Sequence, residues 1–197
     1  MSIATTLTDI ANLALSSLGE RQITNINSDG KTENLIRTLL YESIRQTQLE
    51  IFWEELIVSV NPTKSTETYK PAEGFSIYNL PNNFLDAVGL ASGARWFLEG
   101  GKLITQDSAP CLTYKRYSEE PSEWSAYLVE LTYKRVAMNI SMAVTQNSNI
   151  QQQSVQLYNL AKSENLMRSA NRQRDYSTKP SRFEWIKTRS RRHGVIR

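Results

Sequence analysis

At 197 residues the chain has the length of one ordinary domain with an appendage, and a body of about 170 residues buries roughly two-thirds of its unfolded surface. One cysteine, Cys111, excludes an intrachain disulfide and a Cys/His zinc cluster, and one histidine, His193, excludes a mechanism built on a core histidine base. The 23 basic and 20 acidic residues are unevenly placed: positions 179–197 hold seven Lys/Arg against the single acid Glu184, which leaves 16 basic and 19 acidic residues in the body.

Taken in order, Thr6 to Asp9 reads T-x-x-D, a capping-box variant, and Ile10, Leu13, Ala14 and Leu18 follow at helical spacing until Gly19. This predicts a helix over about 7–18. After a turn-rich loop, Leu35, Ile36, Leu39, Leu40 and Ile44 form one stripe, which predicts a longer helix over about 32–53. From 56 to 118 the period shifts toward two. LIVSV, FSIYNLP, FLDAVGLA, RWFL, KLIT and CLTYKRY read as short strands separated by Pro, Gly and Asn. Glu99-Gly100-Gly101-Lys102 reads as a tight hairpin turn, because two central glycines accept the positive φ it demands.

Glu119, Glu120, Pro121 and Glu123 place acids and a proline where a helix has its positive end, and so predict the start of a long helix over about 121–146. Trp124, Tyr127, Leu128, Leu131, Met138 and Met142 lie on one of its faces and Val129, Val136, Ile140 and Val144 on another. A helix apolar over more than half its girth belongs at the centre of a bundle. A last helix is expected over about 150–170, with Val155, Leu157, Leu160, Ala161 and Leu166 as its apolar positions. Beyond it, ANRQRDYSTKPS reads as turn formers before Pro180. Trp53, Trp96 and Trp124 read as core, with Trp96 also a candidate for a subunit interface. The fold class expected is mainly α within α+β: about four helices in a bundle, a small antiparallel β insertion over 56–118, and an extended C-terminal tail. Residues 1–176 form the body and 177–197 the basic arm.

The chemistry-bearing patterns are few. No G-x-G-x-x-G, G-x-x-x-x-G-K-[ST] or H-E-x-x-H occurs, so nucleotide binding and zinc hydrolysis have no sequence support, and no cofactor or metal is expected. Cys111 and His193 could form a nucleophile and base, but one lies in a strand-like run and the other in the arm. Glu119, Glu120 and Glu123 could hold a glycosidase acid, yet stabilisation of a helix N-terminus accounts for them. No enzyme is expected. The N-terminus lacks a basic region ahead of an apolar run, and no segment approaches the ~20 apolar residues of a bilayer span. A soluble chain without a signal peptide and without a membrane partner is expected.

The arm, KPSRFEWIKTRSRRHGVIR, has three readings. It can be a solvated terminus without a partner. It can grip nucleic acid, with Arg189, Arg191, Arg192 and Arg197 on phosphates and Phe183 or Trp185 stacking. It can dock into a protein, with Phe183, Trp185 and Ile186 as anchors and arginines as directional donors. The third is favoured, because a purely electrostatic tail has no use for F-E-W-I.

Several stretches together resemble one family. They are L-T-D-I-A-N-L-A-L-S-S-L-G-E (Leu7 to Glu20) with Ile26 and Asp29, L-Y-E-S-I-R-Q-T-Q-L-E-I-F-W (Leu40 to Trp53), Y-N-L-P-N-N-F-L (Tyr78 to Leu85) and Y-K-R-Y (Tyr114 to Tyr117). With the two long C-terminal helices they resemble the tail tubular protein A and tail accessory factor group, the head-to-tail adaptors of short-tailed bacteriophages. The resemblance implies a structural virion protein of the tail neck, made in the host cytoplasm and assembled as a ring of twelve copies. That ring would sit beneath the portal protein and above the tail nozzle protein, and DNA would pass its lumen without specific binding. It also implies that the C-terminal segment extends to grip the portal, which assigns Arg182, Phe183, Trp185, Ile186, Arg189, Arg191, Arg192 and Arg197 as portal-facing. A nucleic-acid-binding accessory protein using the same basic arm is the alternative.

Overall fold

The computed structural model describes residues 4–69 and 74–177, with side chains as far as Ala170. Among these residues it contains four helices, α1 (Leu7–Ser17), α2 (Lys31–Glu50), α3 (Ala126–Thr145) and α4 (Ser148–Ser177). Between α2 and α3 run seven strands: β1 (Ile57–Val60), β2 (Lys64–Thr68), β3 (Ser76–Asn79), β4 (Phe84–Leu90), β5 (Trp96–Glu99), β6 (Lys102–Thr105) and β7 (Leu112–Arg116). They form two antiparallel sheets, ordered β1-β7-β4 and β2-β3-β6-β5. The expectation of a helical bundle with a small β insertion is therefore wrong: this is an α+β fold. The sheets have a core of their own, in which Tyr78, Leu103, Leu112 and Tyr114 are buried with Val58, Phe84 and Trp96 packed around them.

Local chemistry explains the helix ends. Thr6 Oγ1 accepts from the Asp9 amide at 3.1 Å and Asp9 Oδ2 accepts from the Thr6 amide at 2.9 Å, a reciprocal capping box that fixes the start of α1. At its other end Gly19 takes φ +75°, and the Glu20 amide returns to the Leu15 carbonyl. The acids at 119–123 do not sit in the first turn of α3. They precede and form a short 3₁₀ turn at Pro121–Glu123, and Ser125 caps α3 instead by accepting from the Leu128 amide.

α3 is the helix against which α1, α2 and α4 all pack. Ile10, Leu15, Ile36, Leu40, Ile44, Leu128, Leu131 and Ile140 are fully buried there, each worth about 1.5–3 kcal/mol of transfer free energy. Tyr127 and Met142 of the expected apolar stripe remain exposed. Trp53 and Trp124 lie in this core, whereas Trp96 sits half-buried against the sheet core.

In the four-stranded sheet β5 and β6 pair in register from Trp96 opposite Thr105 to Glu99 opposite Lys102, and Gly100 and Gly101 turn the chain at φ +57° and +73°. β2, whose sequence KSTET has no apolar residue, pairs on β3 with a register shift. It is an edge strand that sequence periodicity could not reveal.

The sheets are tied to the helices at the end of α2. Lys115 of β7 is buried, and its ammonium donates to the Leu49 and Ile51 carbonyls at 3.0 and 3.1 Å, so a cation from a strand satisfies the negative end of α2. Burial pushes its pKa below the usual lysine range, against a smaller upward pull from Asp86. One residue before Leu49, the Gln48 amide group exchanges hydrogen bonds with the Ser118 backbone at 2.7 and 3.1 Å.

Candidate assembly surface

α4 carries its polarity reversed. The face it turns to the body consists of Ser154, Tyr158, Ala161, Asn165 and Ser169, at steps of four, three, four and four. Two of its polar members are satisfied locally: Ser154 Oγ donates to the Ile150 carbonyl and Asn165 Nδ2 to the Ala161 carbonyl, both at 2.8 Å. The apolar residues point outward, with Leu157 at 49% exposure, Leu160 at 59% and Met167 at 70%, and Val155 and Leu166 are exposed as well. Of the apolar positions expected on this helix, only Ala161 faces the core. α4 also continues to Ser177, through residues whose composition suggested a loop.

Beneath α4 lies the cluster that makes a polar inner face favourable. Glu50, the last residue of α2, receives Arg135 Nη2 of α3 at 2.7 Å and Lys162 Nζ of α4 at 3.0 Å. The Tyr158 hydroxyl donates to its second oxygen at 3.0 Å. The Arg135 guanidinium stacks over the Tyr158 ring at 5.2 Å, and its Nε and Nη1 are buried with no protein partner. Partial burial raises the Glu50 pKa. The hydrogen bonds from Arg135 and Lys162, the Arg135 charge and the Tyr158 hydroxyl outweigh it and bring the carboxyl down to about 2. Burial, opposed by Arg135 and reinforced by Glu50, pushes Tyr158 up to about 12. Sequence reading did not single out these four residues; Arg135, Tyr158 and Lys162 lie 85 to 112 positions from Glu50, and no local pattern joins them.

Other exposed apolar side chains lie on the remaining elements: Leu13 on α1, Tyr41 and Leu49 on α2, Tyr127 and Met142 on α3, Val88 on β4 and Leu98 on β5. Two open grooves flank Tyr41. One is lined by Thr5, Ile26, Glu119 and Pro121, the other by Arg45, Phe84, Leu85 and Tyr117. On the four-stranded sheet, Tyr69, Phe75 and Phe97 meet edge to face or tilted, with ring centres 5.6–6.1 Å apart.

The candidate acid Glu123 is held by Arg116 at 2.6 Å, at the mouth of the β7–α3 connection. Cys111 lies half-buried ahead of β7, and its notional partner His193 falls outside the described residues. Arg182, Phe183, Trp185, Ile186, Arg189, Arg191, Arg192 and Arg197 also fall outside them, so the structure neither assembles nor separates that set. Among the described residues no three His, Cys, Asp or Glu side chains converge on a metal-sized site, and no helix is long and apolar enough to cross a membrane. No family model and no curated protein matches the chain.

Proposed function

We propose that this chain is a structural subunit of a phage head-to-tail adaptor, assembled as a ring between portal and tail nozzle with a lumen for DNA. The observation that carries the reading is the distribution of exposed apolar side chains. Among the described residues they sit on all four helices and on both sheets, as in a subunit contacted from several directions, and are not gathered into one concave pocket. The sequence resemblance supplies the identity of the neighbours. A closed ring needs two different faces on each copy, because its interfaces are heterologous. The basic aromatic arm then serves as the latch to the portal, with Phe183 and Trp185 as its anchors.

The test is negative-stain imaging of the protein mixed with its portal, together with capture of the protein by immobilised portal. Rings seated on the portal, with capture lost on Phe183→Ala/Trp185→Ala replacement, are expected. A protein that stays monomeric beside the portal overturns the reading. The charge of the arm favours one rival, a nucleic-acid-binding accessory protein. That rival requires duplex binding that weakens with salt in proportion to the phosphates neutralised, and persists in the aromatic double variant.

A further inference from the structure

The stretch from Val136 to Ala161 contains no charged side chain, in a chain that is 22% charged. It spans the second half of α3, the turn and the first half of α4, and much of it is exposed, including Met142, Gln152, Val155 and Gln156. A solvated helix face ordinarily carries Lys, Glu and Asp. A face depleted of them and studded with Leu and Met has the composition of an interface core.

The outer face of α4 has, in addition, the spacing of a coiled-coil seam. Ile150, Gln153, Leu157, Leu160, Glu164 and Met167 recur at alternating steps of three and four. All are exposed except Ile150, which is half-buried. The seam is complementary to itself when two copies run antiparallel about an axis between Leu157 and Leu160. Leu157 then meets Leu160 of the second copy, Ile150 meets Met167, and Gln153 meets Glu164 as an amide donor to a carboxylate. A parallel arrangement would set Glu164 against its own copy. The Glu50 cluster pins Tyr158 and Lys162 from the inside, so the seam is presented on a fixed helix.

We propose that α4 packs antiparallel against α4 of a second copy of this chain, along the seam from Ile150 to Met167. This goes beyond the ring reading and describes the free protein: a two-fold contact points its two copies in opposite directions, whereas all copies of a ring between portal and nozzle point the same way and close it through heterologous faces. The α1–α2 and sheet surfaces remain for that purpose.

The experiment is sedimentation of the full chain over a range of concentrations, with Leu160→Glu and Leu157→Lys variants measured alone and as an equimolar mixture. Circular dichroism establishes that both variants are folded. The parent chain is expected to dimerise, each variant to associate about tenfold more weakly or worse, and the mixture to recover. Recovery follows because the introduced Glu faces the introduced Lys while the other axis pair stays Leu to Leu. A parent chain that is monomeric throughout, variants that dimerise like the parent, or a mixture no stronger than its components would each overturn the proposal. Portal-templated ring formation is scored separately on the same samples. A dimer that forms no ring counts against the ring reading, and rings formed by an unpaired variant leave that reading standing.

Discussion

Replacing Glu50 by Gln keeps the shape at the meeting point of α2, α3 and α4 and removes its negative charge. The fall of the carboxyl pKa from 4.5 to about 2 corresponds to about 3 kcal/mol of preference for the charged form, at ~1.4 kcal/mol per pH unit. Solvent reaches 31% of the side chain, so screening lowers the expected loss to about 2 kcal/mol. The mechanism is specific: Arg135, 8% exposed, loses the anion that compensates its charge and is left with a neutral amide acceptor and the Tyr158 ring. In a chain of this size the change lowers the melting temperature by about 4–8 °C.

The pH dependence carries the sharper test. The folded-state pKa lies below the unfolded one, so the stabilisation is complete above about 4.5 and is lost as pH falls through about 2. Gln does not titrate. The difference between Glu50→Gln and the parent, measured by urea unfolding, is therefore about 2 kcal/mol at pH 7 and shrinks progressively between pH 4.5 and 2. A difference below about 0.5 kcal/mol at pH 7, or one that stays constant down to pH 2.5, would refute the reasoning.

Lys115→Met removes the ammonium that satisfies the Leu49 and Ile51 carbonyls, and a loss of about 2–3 kcal/mol is expected as a lower urea midpoint at unchanged slope. Gly101→Ala forces a Cβ into φ +73° in the β5–β6 turn and should cost about 1–2 kcal/mol, read as a lower melting temperature. Thr6→Ala breaks the capping box of α1 and should cost about 1 kcal/mol, with faster amide exchange at Asp9, whose amide loses its acceptor.

The helices were legible because they announce themselves locally: a stripe such as Ile36, Leu40 and Ile44, a capping box, a glycine after the last turn. Direction of burial is not local. The apolar residues of α4 suggest an inner face, yet α2 and α3 present the partly buried Glu50 and the buried Arg135 there, and a buried charge demands polar partners and the Tyr158 ring more strongly than Leu demands burial. The reverse polarity then leaves Leu157, Leu160 and Met167 outside. The stretch without charge from Val136 to Ala161 was a signal available in the sequence, visible only when charges rather than apolar residues are followed along the helix. The size of the β region is hidden from the sequence for a related reason. Short strands with half-buried alternation look like an appendage, while their pairing into two sheets around Leu103, Leu112 and Tyr114 rests on contacts between positions far apart in sequence.

The β region nevertheless joins the helices through only two crossings of the chain, one leaving α2 at residues 51–56 and one entering α3 at residues 117–125. Both are tied down at the same place. Gln48 holds the Ser118 backbone from the end of α2, Lys115 holds the Leu49 and Ile51 carbonyls from β7, and Glu55 accepts from the Ser125 amide at 3.1 Å, linking the first crossing to the cap of α3. Two crossings bonded to each other resist bending and twisting where two separate linkers would act as a hinge. Glu50 stands within this junction and also grips α4 through Tyr158 and Lys162. The sheets and α4 are thus connected through about three consecutive residues of α2, each held by a hydrogen bond or ion pair. That is the arrangement a subunit needs if contacts made on its separate faces are to keep a fixed relative geometry under load.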